Sequence, residues 1–262
     1  MNRLAIRMPG KLLLYGWLPA LLICLWWFLP PKNSVYFPAL WVVLDNVRDQ
    51  WIWHLARAQL VPTIKILVSG YAISLAGGIL LGLILALVRP LYELSLPVIS
   101  FFRGLPAIAL IPPLLLILGL GGTFKIGIVV LGAVQPVLLN TYNGLQSIND
   151  VQVDTARAYG IHGIRRILTV MLPAASPQIV AGARTALQVS ILLVVASEIV
   201  GSTAGVGYII VQAQQNFDGP GMWGGMLVLG ALGIVLNLLF VISERFLMSW
   251  YSGMRATEGR AA

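Results

Sequence analysis

Six apolar runs, each long enough to cross a hydrocarbon layer, leave this chain few ways to fold. They fall at about residues 12–29, 62–88, 91–118, 123–145, 177–200 and 222–250 of 262. A helical span needs about 20 apolar residues, and a bilayer offers no water to an exposed backbone, so such runs become helices packed together. The expected fold class is all-α: a polytopic membrane helical bundle of about six spans, one membrane domain over residues 1–262. Composition agrees, because 58% of residues are hydrophobic and 10% charged, where a soluble domain carries about 25%.

The net charge of +8 raises nucleic acid as a partner, but the 17 Lys and Arg residues are scattered in ones and twos near the ends of apolar runs. That placement suits topology and excludes a nucleic-acid face. Ten of them fall on one side of the expected spans, four (Lys32, Arg48, Arg57, Lys125) on the other, and three (Lys65, Arg103, Arg184) within them. Basic loops stay in the cytoplasm, so both termini and the loop at 146–177 are expected there.

Taken in order, Arg3, Arg7 and Lys11 precede the first run, and Pro30-Pro31-Lys32 follows it in place of a small-residue cleavage site. The run is therefore expected as a retained span over 12–29, with Trp26 and Trp27 at the membrane interface. Residues 30–60 alternate apolar with Asp45, Arg48, Asp49, His54 and Arg57, the pattern of an external amphipathic helix against the bundle. The core bundle takes up 61–250, with Pro62 opening the second span and Gly78 and Gly82 spaced for close helix approach. The third span carries Pro97, Pro106, Pro112 and Pro113 and must break at bilayer depth. A break there is tolerated only against protein or water, which places this span at a central pathway.

The second half holds one long polar interruption, Asp154 to Pro173. It reads as two short helices around a hinge: Asn149 and Asp150 can cap the first, and Gly160 and Gly163 stop one helix running through. A side chain at Gly160 is expected to clash or stiffen the bend. Arg165 and Arg166 fall on the exposed side, Ile164, Ile167, Leu168 and Met171 form a face to bury, and Pro173 ends the second helix.

Catalytic chemistry finds no support. Cys24, His54 and His162 form no metal cluster, and no nucleophile and base or His-Glu-x-x-His spacing occurs. Gly119 to Lys125 lacks the spacer and trailing Ser/Thr of a phosphate loop, so no nucleotide binding is expected in this chain. Charges within a membrane are costly and default to functional readings. Arg103 either attracts an anion or partners a backbone carbonyl or Glu198. Glu198 serves as a structural ion pair or a gate, and Arg184 snorkels at the cytoplasmic end. Pro106, Gln135, Asn140 and Gln188 complete the pathway candidates, with the polar ones, like Ser190, serving equally as glue between helices.

Asp154-Thr155-Ala156, Gly160, Val170 and Leu172-Pro173 together resemble the cytoplasmic EAA loop of ABC-importer permeases, with its spacing intact. Asp replaces Glu, Thr replaces the first Ala and Val replaces Ile. From about residue 60 the chain resembles the aliphatic sulfonate, taurine and nitrate branch of these permeases. The resemblance lies in Phe101 to Pro106, Pro136 with Asn140-Thr141, Ala158-Tyr159-Gly160, Gly182-Ala183-Arg184, Ser197-Glu198, Gly205 to Tyr208 and Glu244-Arg245. It departs at Lys65, where arginine is usual, and at Asn237, where an acidic residue is frequent.

The resemblance implies a type I ABC-importer permease in the cell inner membrane, working with a second copy of itself, two cytoplasmic ATPases and an external binding protein. ATP and Mg would be bound by the ATPases, leaving this chain without a cofactor. Asp154, Thr155, Ala156, Gly160, Val170, Leu172 and Pro173 would couple to them. The substrate implied is a small organic or inorganic anion such as an aliphatic sulfonate, taurine or nitrate. The alternatives are a neutral or aromatic substrate such as a pyrimidine precursor, or an ATP-independent secondary transporter.

Overall fold

The computed structural model describes residues 8–30, 34 and 36–248, with backbone alone for 8–16 and 52–54. Expectations for Arg3, Arg7, Lys32, Trp250, Arg255 and Arg260, and for the side chains of Lys11 and His54, lie outside what is described. Every regular element among the described residues is helical. The order is α1 (Met8–Phe28), α2 (Leu40–Asn46), a π-helix (Val47–Leu60), α3 (Val61–Leu87), α4 (Arg89–Gly104), a 3-10 turn (Ala107–Leu110) and α5 (Ile111–Leu118). Then follow α6 (Gly122–Gln146), α7 (Asp150–Ala158), α8 (Gly163–Arg166), a π turn (Ile167–Met171), α9 (Leu172–Gly201), α10 (Val206–Gln215) and α11 (Gly219–Leu247).

Four helical stretches among the described residues are long and apolar enough to cross a membrane: Leu55–Leu87, Gly122–Gln146, Gly163–Gly201 and Gly219–Leu247. They become five when α4 and the following 107–118 stretch, bent by 96°, count as one broken span. The 21-residue α1 occupies the place of the expected first span. Its Trp26 donates to the Pro38 carbonyl at 3.1 Å and meets Trp223 of α11 edge-on, 5.2 Å between centroids.

At the centre stands α6, packed on α3 on one side and α9 on the other. The closeness of the first contact comes from a stripe on α3, Gly70, Ser74, Gly78 and Gly82, which recurs every four residues and so keeps to one face. A Cβ added at Gly78 would lie 2.5 Å from Val137 Cβ, and one at Gly82 would lie 2.7 Å from the Leu138 carbonyl oxygen. Lipid tails are as apolar as leucine, so helices associate in a bilayer largely through packing of this kind. Phe124, Ile128 and Val129 of α6 and Leu193 and Val194 of α9 fill the core beside it.

The third span breaks as expected, at Pro106. A residue before proline is pushed out of the helical region, and Leu105 adopts ψ 126°. Pro97 remains inside α4, while Pro112 and Pro113 sit in the first turn of α5, where missing N–H groups have no helical partner to lose.

Two other prolines behave differently from expectation. The chain is already helical before Pro62, because the π-helix runs directly into α3. It also stays helical through Pro173, so that Gly163–Gly201 forms one 39-residue helix. A proline ring ordinarily clashes with the carbonyl four residues back. Both carbonyls, at Ala58 and Thr169, lie in π segments, whose wider turn carries them away from the ring. Residues 40–60 are therefore an extension of the second span and not a separate helix. Their apolar face does meet the bundle, with Trp51 buried against Val206 and Ile210.

Candidate coupling site and distal cavity

At one end of the bundle α7, α8 and the start of α9 build an elbow. The Asn149 side chain caps α7 by accepting from Val151 N–H at 2.9 Å. The helix closes with the Ile161 N–H on the Ala156 carbonyl (2.9 Å) and the Gly160 N–H on the Arg157 carbonyl (3.0 Å). This pair of bonds is a Schellman closure, which needs a left-handed residue at Gly160, and its φ is 71°. Nothing lies within 4 Å of where a Cβ would stand there. The expected clash is thus absent, and backbone handedness alone demands glycine, worth about 1–2 kcal/mol.

The structure brings Thr155, Ala156, Val170 and Pro173 together on a cleft of about 650 Å³ between α7 and the start of the long helix. Ala156 is buried and Thr155 donates to the Val151 carbonyl at 2.6 Å. Asp154 faces solvent, paired with Arg157 at 3.0 Å, and Leu172 is half-buried outside the cleft.

The apolar face foreseen for the second helix is only half covered. Ile167 and Met171 are half-buried, but Ile164 and Leu168 are 69% and 58% exposed. Arg166, expected on the outside, is half-buried instead, with its Nε unpartnered. The π turn explains the change: its extra residue per turn rotates Ile164 and Leu168 away from the bundle. Val151 and Tyr159 of the elbow are also exposed, so the segment from 151 to 168 presents four large apolar side chains to its surroundings.

The pathway candidates do not converge on one point, and no hydrogen bond among the described residues joins any two of them. Arg103 is exposed at the end of α4 without a hydrogen-bond or ion-pair partner among those residues, and Pro106 is exposed at the break. Gln135 lines an apolar groove of about 160 Å³ between α4 and α6. Asn140 donates to the Pro136 carbonyl at 2.7 Å and packs on Gly182, which is the role of glue between α6 and α9. Ser190 bonds back to the Ala186 carbonyl at 2.7 Å, and Gln188 is exposed. Arg184 pairs with Glu244 and lies 5.7 Å from the Phe240 ring centre, tying α9 to α11.

Glu198 has neither the ion pair nor the arginine partner foreseen for it. It is fully buried at the far end of α9, where Oε1 accepts from Thr63 Oγ1 at 2.7 Å and Oε2 from Gly207 N–H at 2.9 Å. Thr63 Oγ1 accepts from Val206 N–H at 3.1 Å, and Gln59 Oε1 from Gly205 N–H at 2.7 Å. A carboxyl oxygen accepting on the first turn of a helix satisfies an N–H that has no partner within the helix. The result pins α10 to α3 and α9 in one polar knot.

Beside this knot, between the start of α6, the end of α9 and α10, opens a cavity of about 650 Å³. Lys125 reaches it with only 8% of its surface exposed and donates to Ser202 Oγ. Tyr208, Gln212, Gln215 and Thr203 add polar groups, Leu120, Ile199, Val200 and Val211 add apolar wall, and no lining residue is acidic. Sequence reasoning placed Lys125 only as a charge outside the spans. Its one signal was a lysine three residues inside an apolar stretch.

Comparisons with known proteins come down on the same architecture. Residues 78–252 match the family model described as the binding-protein-dependent transport system inner membrane component. The chain is 28% identical to a putative aliphatic sulfonates transport permease protein of Bacillus subtilis, over 95% of this chain and 93% of the relative. It is 26% identical to the taurine transport system permease protein of Escherichia coli, over 88% and 87%. Among solved structures it resembles a chain of the MetNI methionine ABC transporter in an inward-facing conformation. That match has a TM-score of 0.63 at 24% identity, covering 75% of this chain and 97% of the other.

Proposed function

Because the chain belongs to the family of binding-protein-dependent transport system inner membrane components, and is the permease subunit of an ABC importer in a membrane, we propose how its parts divide the work. Permeases of this family operate with ATPase and binding-protein partners. In this reading two copies of the chain line the translocation pathway, and residues 150–173 dock on two cytoplasmic ATPases that bind ATP and Mg. Both termini then face the cytoplasm. The substrate is a small organic molecule with an anionic head, an aliphatic sulfonate or taurine, by analogy with the permeases it resembles over most of its length.

The observation that carries the reading is the exposed tip of the elbow. Val151, Tyr159, Ile164 and Leu168 project from a rigid bend at an end of the bundle that also carries Arg157, Arg165 and Arg166. Large apolar side chains left exposed along one short segment, among polar neighbours, suit a protein interface. The segment is also joined without interruption to the transmembrane part of α9, so movement of a docked motor reaches the pathway as movement of a span. Closure of the ATPases on ATP draws the two elbows together and turns the pathway outward, and hydrolysis returns it.

Gly160→Glu tests this directly. The left-handed position becomes strained and the tip gains a carboxylate, while nothing in the bundle is touched. The variant permease is expected to insert and to melt only a few degrees lower, as a strain of about 1–2 kcal/mol implies, yet to lose ATPase on co-purification and to lose substrate-stimulated ATP hydrolysis. Assembled complexes with normal stimulation and uptake would refute the coupling role.

A further inference from the structure

We infer that the cavity at the end of the bundle opposite the elbow is a receiving site for a small organic anion, whose acidic head pairs with Lys125 and whose short aliphatic part lies against Leu120, Ile199 and Val200. The inference rests on the importer reading only for its direction: with the elbow in the cytoplasm, this cavity opens toward the side where a binding protein delivers its load.

Three observations carry it. First, about 650 Å³ lies within the range of small-molecule pockets, about 300–1,000 Å³, and the wall has the usual mixture of apolar surface with a few polar groups. Second, the cavity has one sign. Lys125 is its only charged lining residue, joined by hydroxyl groups of Ser202, Thr203 and Tyr208 and the amide of Gln212. Lys125, Thr203, Tyr208 and Gln212 can donate to an oxyanion, whereas the Ser202 hydroxyl proton already goes to the Ala204 carbonyl and Ser202 Oγ serves to hold Lys125 in place.

Third, Lys125 is under-committed. A buried ammonium is stable when paired with charge and fully hydrogen-bonded. Among the described residues Lys125 takes part in no ion pair, and its one recorded hydrogen bond goes to Ser202 Oγ. Two of its three donors are thereby left for a ligand. Glu198 attracts it from nearby, but both of that carboxylate's oxygens are already engaged by Thr63 and Gly207. An oxyanion in the cavity supplies what the chain does not.

The cavity also sits on moving parts under this mechanism. Its wall is shared by the end of α9, which the elbow displaces, and by α10, which the Glu198 knot ties to α3. Tilting α9 therefore changes the distance between Lys125 and Ser202, and with it the grip on the head group.

The test uses the assembled importer in nanodiscs, carrying Cys24→Ser and Thr203→Cys so that the thiol at the cavity wall is the one alkylated. Ethanesulfonate and propionate serve as anionic probes and ethyl methyl sulfone as a neutral one of similar shape. Either anion, at about ten times its Kd, is expected to slow alkylation about tenfold, while the sulfone at the same concentration leaves it unchanged. Lys125→Met is expected to abolish the protection, and Lys125→Arg to restore it. Equal protection by the sulfone, protection surviving Lys125→Met, or no protection by either anion overturns the proposal. ATP-driven uptake, measured in parallel on the importer with Thr203 intact, reports on the importer reading by itself. Uptake without protection removes the site and leaves the permease; protection without uptake does the reverse.

Discussion

Gly82→Val is expected to push α3 off α6 and to destabilise the bundle by about 3 kcal/mol or more, the upper range for overpacked cores. The first atom added has nowhere to go. It would lie 2.7 Å from the Leu138 carbonyl oxygen and 2.7 Å from Thr141 Cβ. A flexible side chain could swing aside, but the backbone of a central helix cannot, and α6 is held from behind by α9. Gly77→Val is the matched control, because a Cβ there meets nothing closer than Val134 at 3.9 Å. Its change should stay within about 0.5 kcal/mol. Thermal melts of the two solubilised variants separate them, and coincident curves would mean that the glycine stripe does not set the helix spacing.

Glu198→Ala should have the next largest effect. The carboxylate accepts from the Thr63 hydroxyl and the Gly207 N–H in a fully buried setting. Its removal leaves those donors in a dry site, at about 1–3 kcal/mol each, although Thr63 retains the Gln59 carbonyl at 3.1 Å as a fallback. We expect a loss of about 2–4 kcal/mol, concentrated in α10. Hydrogen exchange over residues 201–218 should accelerate well before the rest of the bundle melts. Glu198→Gln keeps the shape and one accepting oxygen, so it should fall between the alanine variant and the native protein. Exchange that is uniform along the chain would show that the knot holds no element in particular.

Much of the architecture was legible because its causes are local. The break at Pro106 follows from the steric demand of proline on Leu105, and the Gly160 turn follows from a helix that must end within a few residues. Both causes sit beside their effects in the sequence. The continuity through Pro62 and Pro173 was not legible, since it depends on π turns that no residue pattern announces. The same turns moved Ile164 and Leu168 outward, where a plain helical period had put them inward. Glu198 was visible as a costly residue, but its partners were not. Thr63 is 135 positions away, and the Gly207 donor is a backbone amide, a group that every residue but proline owns. Lys125 was missed for a related reason: one cation gains meaning only when folding brings Ser202, Tyr208 and Gln212 around it.

The unbroken helix from Gly163 to Gly201 has a geometric consequence. At 1.5 Å per residue its 39 residues make a rod of about 60 Å, roughly twice the hydrocarbon thickness. Pivoting such a rod about its lower tip by a single degree shifts its upper tip sideways by about 1 Å. A rotation too slight to disturb the packing of neighbouring side chains is then enough, at the other face of the membrane, to make or break a hydrogen bond.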